Sequence, residues 1–270
     1  MRPKLDAITL SLMQATNAAV EKLKPAVIPI YRRDCEGRIF SHGSAVLLRI
    51  DGRTFLCTAL HVIDDPFEEG DTLLLDSEEG AFPLDSNFLV SREYDVAIGP
   101  LNEEACRKLS YATALMPEDV AIPTKEDRVT GRFTFAEVSG YPASRNRSRP
   151  RGIKIKRSNF SFGANIEQID EAEIRISFNR RKKNDVRTGN SVTSPEPYGM
   201  SGGAIFGLRL AKGENPEPKL IGISVAHDVK KSQVIGTNIG LVMEIIRGGW
   251  IGTLPSHLST SIYNAEMVGG

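Results

Sequence analysis

Hydrophobic and polar positions change period early in this chain. Leu5, Ile8, Leu12, Ala15, Ala19 and Leu23 recur at steps of three and four, the spacing that puts side chains on one stripe of an amphipathic helix. Pro25 ends that pattern. The runs that follow are short and strand-like: Ala26–Tyr31, Ser44–Ile50, Thr54–Ala59, Thr72–Leu75, Phe82–Val90 and Asp95–Leu101. Between the second and third lies Asp51-Gly52, a dipeptide that tolerates positive φ at both positions and so predicts a tight hairpin. A polar, partly helical stretch from Glu103 to about Asp127 reads as a connection between two halves. Strand-like runs resume at Arg132–Val138, Ile153–Lys156, Glu173–Phe178, Ala204–Leu210, Lys219–Val225 and Ile239–Met243. Many short strands with turn punctuation, and a helix only at the start and near the end, predict an all-β fold of barrels or sandwiches.

Three segments carry residues suited to acid–base or nucleophilic chemistry: Thr58-Ala59-Leu60-His61-Val62, Tyr94-Asp95-Val96-Ala97-Ile98 and Gly199-Met200-Ser201-Gly202-Gly203. A serine hydroxyl is a poor nucleophile at neutral pH and needs an imidazole within hydrogen-bond reach to take its proton. The imidazole in turn needs a carboxylate to fix its tautomer and to stabilise the imidazolium. Glycine before the serine permits a backbone conformation in which the amides of Gly199 and Ser201 point together at an oxygen that gains negative charge. Singly, each segment has a plainer reading as a structural histidine, a turn-forming aspartate or a flexible loop. Their joint occurrence, in the order His, Asp, Ser, points to a triad.

These segments resemble the His, Asp and Ser boxes of trypsin-like serine peptidases with the chymotrypsin fold, especially the compact bacterial, high-temperature-requirement type. The resemblance extends to Gly43-Ser44-Ala45-Val46, Gly140-Tyr141-Pro142 and Leu220-Ile221-Gly222-Ile223-Ser224, about residues 25 to 250 in all. It implies two six-stranded β-barrels: a first barrel over 25–126 with His61 and Asp95, and a second over 127–250 with Ser201. Flanking them are an N-terminal helical extension, 1–24, a short C-terminal helix and a tail, 251–270. The implied activity is endopeptidase hydrolysis through an acyl-enzyme, with Gly199 and Ser201 as the oxyanion hole and no cofactor. Substrate would be a protein or peptide, lying along Val225, Ala226 and His227 with Glu196 and Tyr198 opposite. Glu196 would favour a basic side chain. Met200 stands where secreted trypsins carry aspartate, so their N-terminal activation switch is not expected.

Gly-Met-Ser-Gly-Gly also satisfies the G-x-S-x-G elbow of α/β-hydrolases, but the alternating strand–helix pattern of that fold is missing upstream of Ser201. A catalytically silent peptide-binding or scaffold module, with a partner effector protein, is a second alternative. A third is association with nucleic acid through Arg145–Arg157, which holds seven basic residues and no acid; the plainer reading is a solvated loop. Overall charge does not favour nucleic acid or an anionic membrane, since Lys plus Arg and Asp plus Glu number 34 each. Three cysteines, Cys35, Cys57 and Cys106, with no C-x-x-C pair and no apolar leader or membrane-spanning run, predict reduced thiols in a soluble, cytoplasmic protein. No zinc, metalloprotease or phosphate-loop motif occurs.

Overall fold

The computed structural model describes residues 7–64, 70–146, 157–180, 183–185, 187–209 and 216–248. The expected strand at Ile153–Lys156, the interior of the basic stretch and the tail 251–270 lie outside these residues. Helix α1 (Ala7–Val20) opens the described chain. Its buried face differs from the apolar stripe of the sequence: Thr16 and Val20 are buried, whereas Leu12 is 48% exposed. The helix lies against a strand of the C-terminal half and touches the molecule mainly through its last turns.

The N-terminal half follows as β1 (Val27–Arg33), β2 (Ile39–Ile50), β3 (Arg53–Ala59), the one-turn helix α2 (Leu60–Asp64), β4 (Thr72–Asp76), β5 (Ala81–Pro83), β6 (Leu89–Ser91) and β7 (Val96–Pro100). The β2–β3 hairpin turns where the sequence predicts it, with Ile50 opposite Arg53 and φ of 49° at Asp51 and 77° at Gly52. The expected single strand over Phe82–Val90 is two short ones, β5 and β6, on opposite edges of the sheet. All pairings are antiparallel in the order β5-β4-β1-β2-β3-β7-β6. This is a seven-stranded sheet, where the resemblance implies a closed six-stranded barrel.

Helices α3 (Glu103–Lys108) and α4 (Lys125–Val129) occupy the connection. Each is started by a side chain that accepts a first-turn amide, Asn102 for α3 and Thr124 for α4. Between them the chain is laced to both halves: Leu115 exchanges hydrogen bonds with Leu47 and Arg49, and the Ala121 amide donates to Leu220 O at 3.0 Å.

The C-terminal half contains β8 (Phe135–Gly140), β9 (Phe160–Ile169), β10 (Glu173–Ser177), β11 (Lys183–Asn184), β12 (Ser191–Val192), β13 (Ala204–Arg209), β14 (Glu217–Asp228) and β15 (Gln233–Asn238). Strands β10-β15-β14-β13-β8-β9 close into a six-stranded barrel, and β11 and β12 form a small separate ribbon. The run Ile239–Met243, expected as a strand, is the start of helix α5 (Ile239–Ile246). A continuous apolar run fits a buried strand or a buried helix equally well; here Asn238 decides, its side chain accepting from Gly240 N at 2.9 Å and so starting the helix. Six of the eight α5 residues are buried, and each large aliphatic among them contributes about 1.5–3 kcal/mol by leaving water.

Apolar clusters fill the barrel and the sheet separately. A third joins the halves: Val46, Leu48, Cys57 and Ile98 from the sheet pack with Ala204, Phe206, Leu220 and Ile223 from the barrel and Val242 and Met243 from α5. The two halves therefore meet across a dry seam.

Candidate functional site

His61 and Asp95 are 34 residues apart in sequence and adjacent in space because β3 pairs with β7, placing Ala59 opposite Val96. Just beyond that pair, β3 turns into α2 and presents His61. Asp95 ends its own turn with φ of 48°, a left-handed conformation that a short polar side chain tolerates better than most. Three hydrogen bonds lock the two segments. Leu60 N donates to Asp95 O at 3.0 Å and His61 N to Asp95 Oδ1 at 2.9 Å. The ring closes the set, with Nδ1 and Asp95 Oδ2 2.7 Å apart. With Nδ1 protonated toward the carboxylate, Nε2 is left as the basic nitrogen. The side chains are 48% and 33% exposed, so the pair opens to solvent.

Ser201 lies in the turn that enters β13. Gly199 and Gly202 flank it with φ of 89° and 84°. A Cβ on Gly202 would meet Ser44 O at 1.9 Å, and one on Gly199 would meet Tyr141 O at 2.8 Å, so neither position has space for a side chain. The amides of the turn divide into two sets. Met200 N donates to Pro197 O, Gly202 N to Ser224 O and Gly203 N to Met200 O, at 2.7–2.9 Å. Among the described residues, the amides of Gly199 and Ser201 have no acceptor. These are the two donors that the sequence assigns to an oxyanion hole. Among the described residues the Ser201 hydroxyl makes only a long contact, 3.5 Å, to Val225 O.

Ser44, a wholly buried residue of β2, connects the two segments. Its amide donates to Ser201 O at 2.8 Å, its hydroxyl donates to Gly199 O at 2.8 Å and accepts from Tyr141 N at 2.9 Å, and its carbonyl accepts from Thr58 Oγ1 at 2.7 Å. Thr58 lies on β3, three residues before His61. The serine turn is thus bonded to the strand next to the one that delivers the imidazole. Across the seam, Thr237 Oγ1 donates to Tyr94 O at 2.5 Å and braces the Asp95 turn from the barrel side. Ser44, Thr58 and Thr237 go unread in the sequence as site residues; a hydroxyl inside an otherwise apolar strand is the signal that marks Ser44 and Thr58, since a buried hydroxyl demands a partner.

The expected substrate-contact residues fall into two groups. Val225 is buried and bulges from the β14–β15 ladder, Ala226 is exposed and His227 half-buried. Toward β13, β14 is paired through Ser224, leaving Val225–His227 open on that edge among the described residues. His227 stands edge-on to Phe178, ring centroids 5.1 Å apart, and its burial lowers its pKa below the usual histidine value against the pull of Asp228 and Glu196. On the other side Tyr198 is 66% exposed. Glu196 is ion-paired with Arg180, whose Nε also donates to Ser194 O at 2.7 Å. Its charge is shared with Arg180 at an exposed position.

All three cysteines are free thiols, Cys35 exposed and Cys57 buried. Among the described residues no group of three or more His, Cys, Asp or Glu side chains is placed to hold a metal ion, and no helix is long and apolar enough to cross a membrane.

No protein-family model and no curated protein matches this chain. Solved structures do. One comes from work on the coupled folding and binding of the intrinsically disordered Sesbania mosaic virus VPg protein, with a TM-score of 0.49 and 13% identity over 82% of this chain and 95% of that one. The serine protease domain of the Sesbania mosaic virus polyprotein gives 0.47 and 13% over 80% and 89%. The HtrA-type protease AlgW, solved with a tripeptide, gives 0.47 and 16% over 87% and 62%. These likenesses are distant, and the chemistry of this chain rests on its own residues.

Proposed function

We propose that this chain is a trypsin-like serine endopeptidase acting through an acyl-enzyme. The observation that carries the reading is the Gly199–Ser201 turn, in which the amides of Gly199 and Ser201 have no acceptor among the described residues and whose backbone is bonded through Ser44 to the strands presenting the Asp95–His61 pair. In this reading Ser201 Oγ attacks the scissile carbonyl carbon while His61 Nε2 takes its proton. Asp95 holds the Nδ1–H tautomer and stabilises the imidazolium. The Gly199 and Ser201 amides receive the oxyanion, and His61 then returns the proton to the leaving amine. Water repeats the sequence on the acyl-enzyme and frees Ser201.

The open edge at Val225–His227 supports an extended substrate that adds as a strand, its main chain hydrogen-bonding to β14 and its side chains alternating between faces. The free thiols fit work in a reducing compartment, and an intracellular protein is the expected substrate. A fluorophosphonate probe labels the wild-type protein at Ser201 and leaves Ser201→Ala unlabelled. Absence of labelling in both, alongside measurable binding of an unhydrolysed peptide, would replace the enzyme with a peptide-binding module.

A further inference from the structure

Away from Ser201, a cavity of about 590 Å³ opens where the end of α1, the start of β1, the segment after α3 and the β8–β9 loop come together. Lys24, Arg145, Arg157 and Arg187 line it against Glu21 and Asp185. The charges are unequally spent. Lys24 Nζ is 2.8 Å from both Glu21 Oε1 and Glu137 Oε1. Arg157 is 3.2 Å from Asp76, a carboxylate that burial pushes above its usual pKa and that this guanidinium pulls down again. The Asp185 carboxylate accepts the amides of Arg187 and Thr188 at 2.9 Å, fixing the loop that presents Arg187. Among the described residues neither Arg145 nor Arg187 forms a close ion pair, although Arg187 lies near enough to Asp185 to help, after the hydrogen bonds from Thr188, to hold that carboxyl below its usual pKa.

The walls suit guanidinium presentation. Arg145 lies over the Phe160 ring at 4.6 Å and Arg157 over the Tyr111 ring at 3.8 Å. A stacked guanidinium keeps its N–H edge free for a bidentate oxyanion. Two lining residues, Tyr111 and Asn159, carry a buried polar atom, Oη and Nδ2, without a hydrogen-bond partner among the described residues. A buried polar group that lines a cationic cavity is a donor for a ligand oxygen.

We propose that this cavity binds a small phosphorylated molecule, with the phosphate held by Arg145 and Arg187 and flanked by Arg157. Two guanidiniums without a close ion pair, beside Arg157, outweigh the nearby Asp185 and match a phosphate dianion better than a single carboxylate. The volume falls in the range of small-molecule sites, and the cations gather around one hollow instead of lying along a strip that would follow a nucleic-acid backbone. This site stands independently of the peptidase reading.

The test is isothermal calorimetry with inorganic pyrophosphate at fixed ionic strength on wild type, Ser201→Ala and the double variant Arg145→Ala/Arg187→Ala. Both arginines are exposed, and circular dichroism checks that the double variant is folded. Pyrophosphate is expected to bind wild type and Ser201→Ala alike and the double variant at least tenfold more weakly, with a thermal shift that follows the same order. No binding by wild type, or equal binding by the double variant, overturns the site. Acetate binding as tightly as pyrophosphate overturns the phosphate class, and an oligonucleotide outcompeting pyrophosphate overturns the small-molecule class.

Discussion

The two halves of the cleft are built on different terms. On the sheet side the chemistry resides in two half-open side chains, His61 and Asp95, whose geometry is set by three hydrogen bonds at the end of a strand pair. On the barrel side it resides in main chain: a turn whose glycines are pressed against Ser44 and Tyr141, with the amides of Met200, Gly202 and Gly203 tied down and those of Gly199 and Ser201 without an acceptor among the described residues. The first arrangement tolerates changes of shape and not of functional group. The second tolerates neither a methyl group nor a rotated peptide, although the proposed mechanism uses only one of its side chains.

That contrast is open to direct test. The largest effect is expected from Asp95→Asn, which keeps the shape but reverses the preferred tautomer of His61; turnover should fall by about 10,000-fold with little change in Tm, as read by steady-state kinetics beside calorimetry. A rate within tenfold of wild type would show that the pair is structural. Gly202→Ala comes next and should act through stability. A Cβ 1.9 Å from Ser44 O, at a positive φ, forces the turn off β2, and activity and Tm should fall together; an unchanged Tm would break the claim that the turn is close-packed. The smallest is Ser44→Ala, which strands Gly199 O and the Tyr141 amide in a dry seam. It should cost about 1–3 kcal/mol for each buried group left unsatisfied, measured by urea unfolding, and should lower labelling of Ser201. Unaltered stability with unaltered labelling would mean that the Ser44 hydroxyl contributes nothing to joining the two halves.

Much of the architecture is legible from local signals. Asp51-Gly52 specifies its hairpin because both residues accept the φ that the turn needs, and the His61 and Asp95 segments sit at strand ends as their flanking apolar runs imply. Other elements escape for identifiable reasons. Strand β9 alternates Phe162, Ala164 and Ile166 inward with Gly163, Asn165 and Glu167 outward, but an alanine and a glycine dilute the period-two signal. The Ile239–Met243 run is apolar on every side, so only its capping residue separates helix from strand. The stripe on α1 misleads because the helix is held by its final turns and by Lys24, which reaches Glu137 and Ser161 in the barrel. The Ser44 connection escapes for a different reason: a hydroxyl in an apolar strand signals that a partner is needed, but the partner lies more than a hundred positions away and nothing local names it.

Ser44 also sets the terms on which the molecule becomes competent. A nascent chain that has completed the sheet possesses an acid–base pair with nothing to deprotonate, and an undocked barrel would carry a nucleophile whose cradle has lost its anchoring strand. On the proposed peptidase reading, maturation of the reactive centre is an event of association between the halves, and loops on either rim can diverge freely so long as that seam is inherited intact.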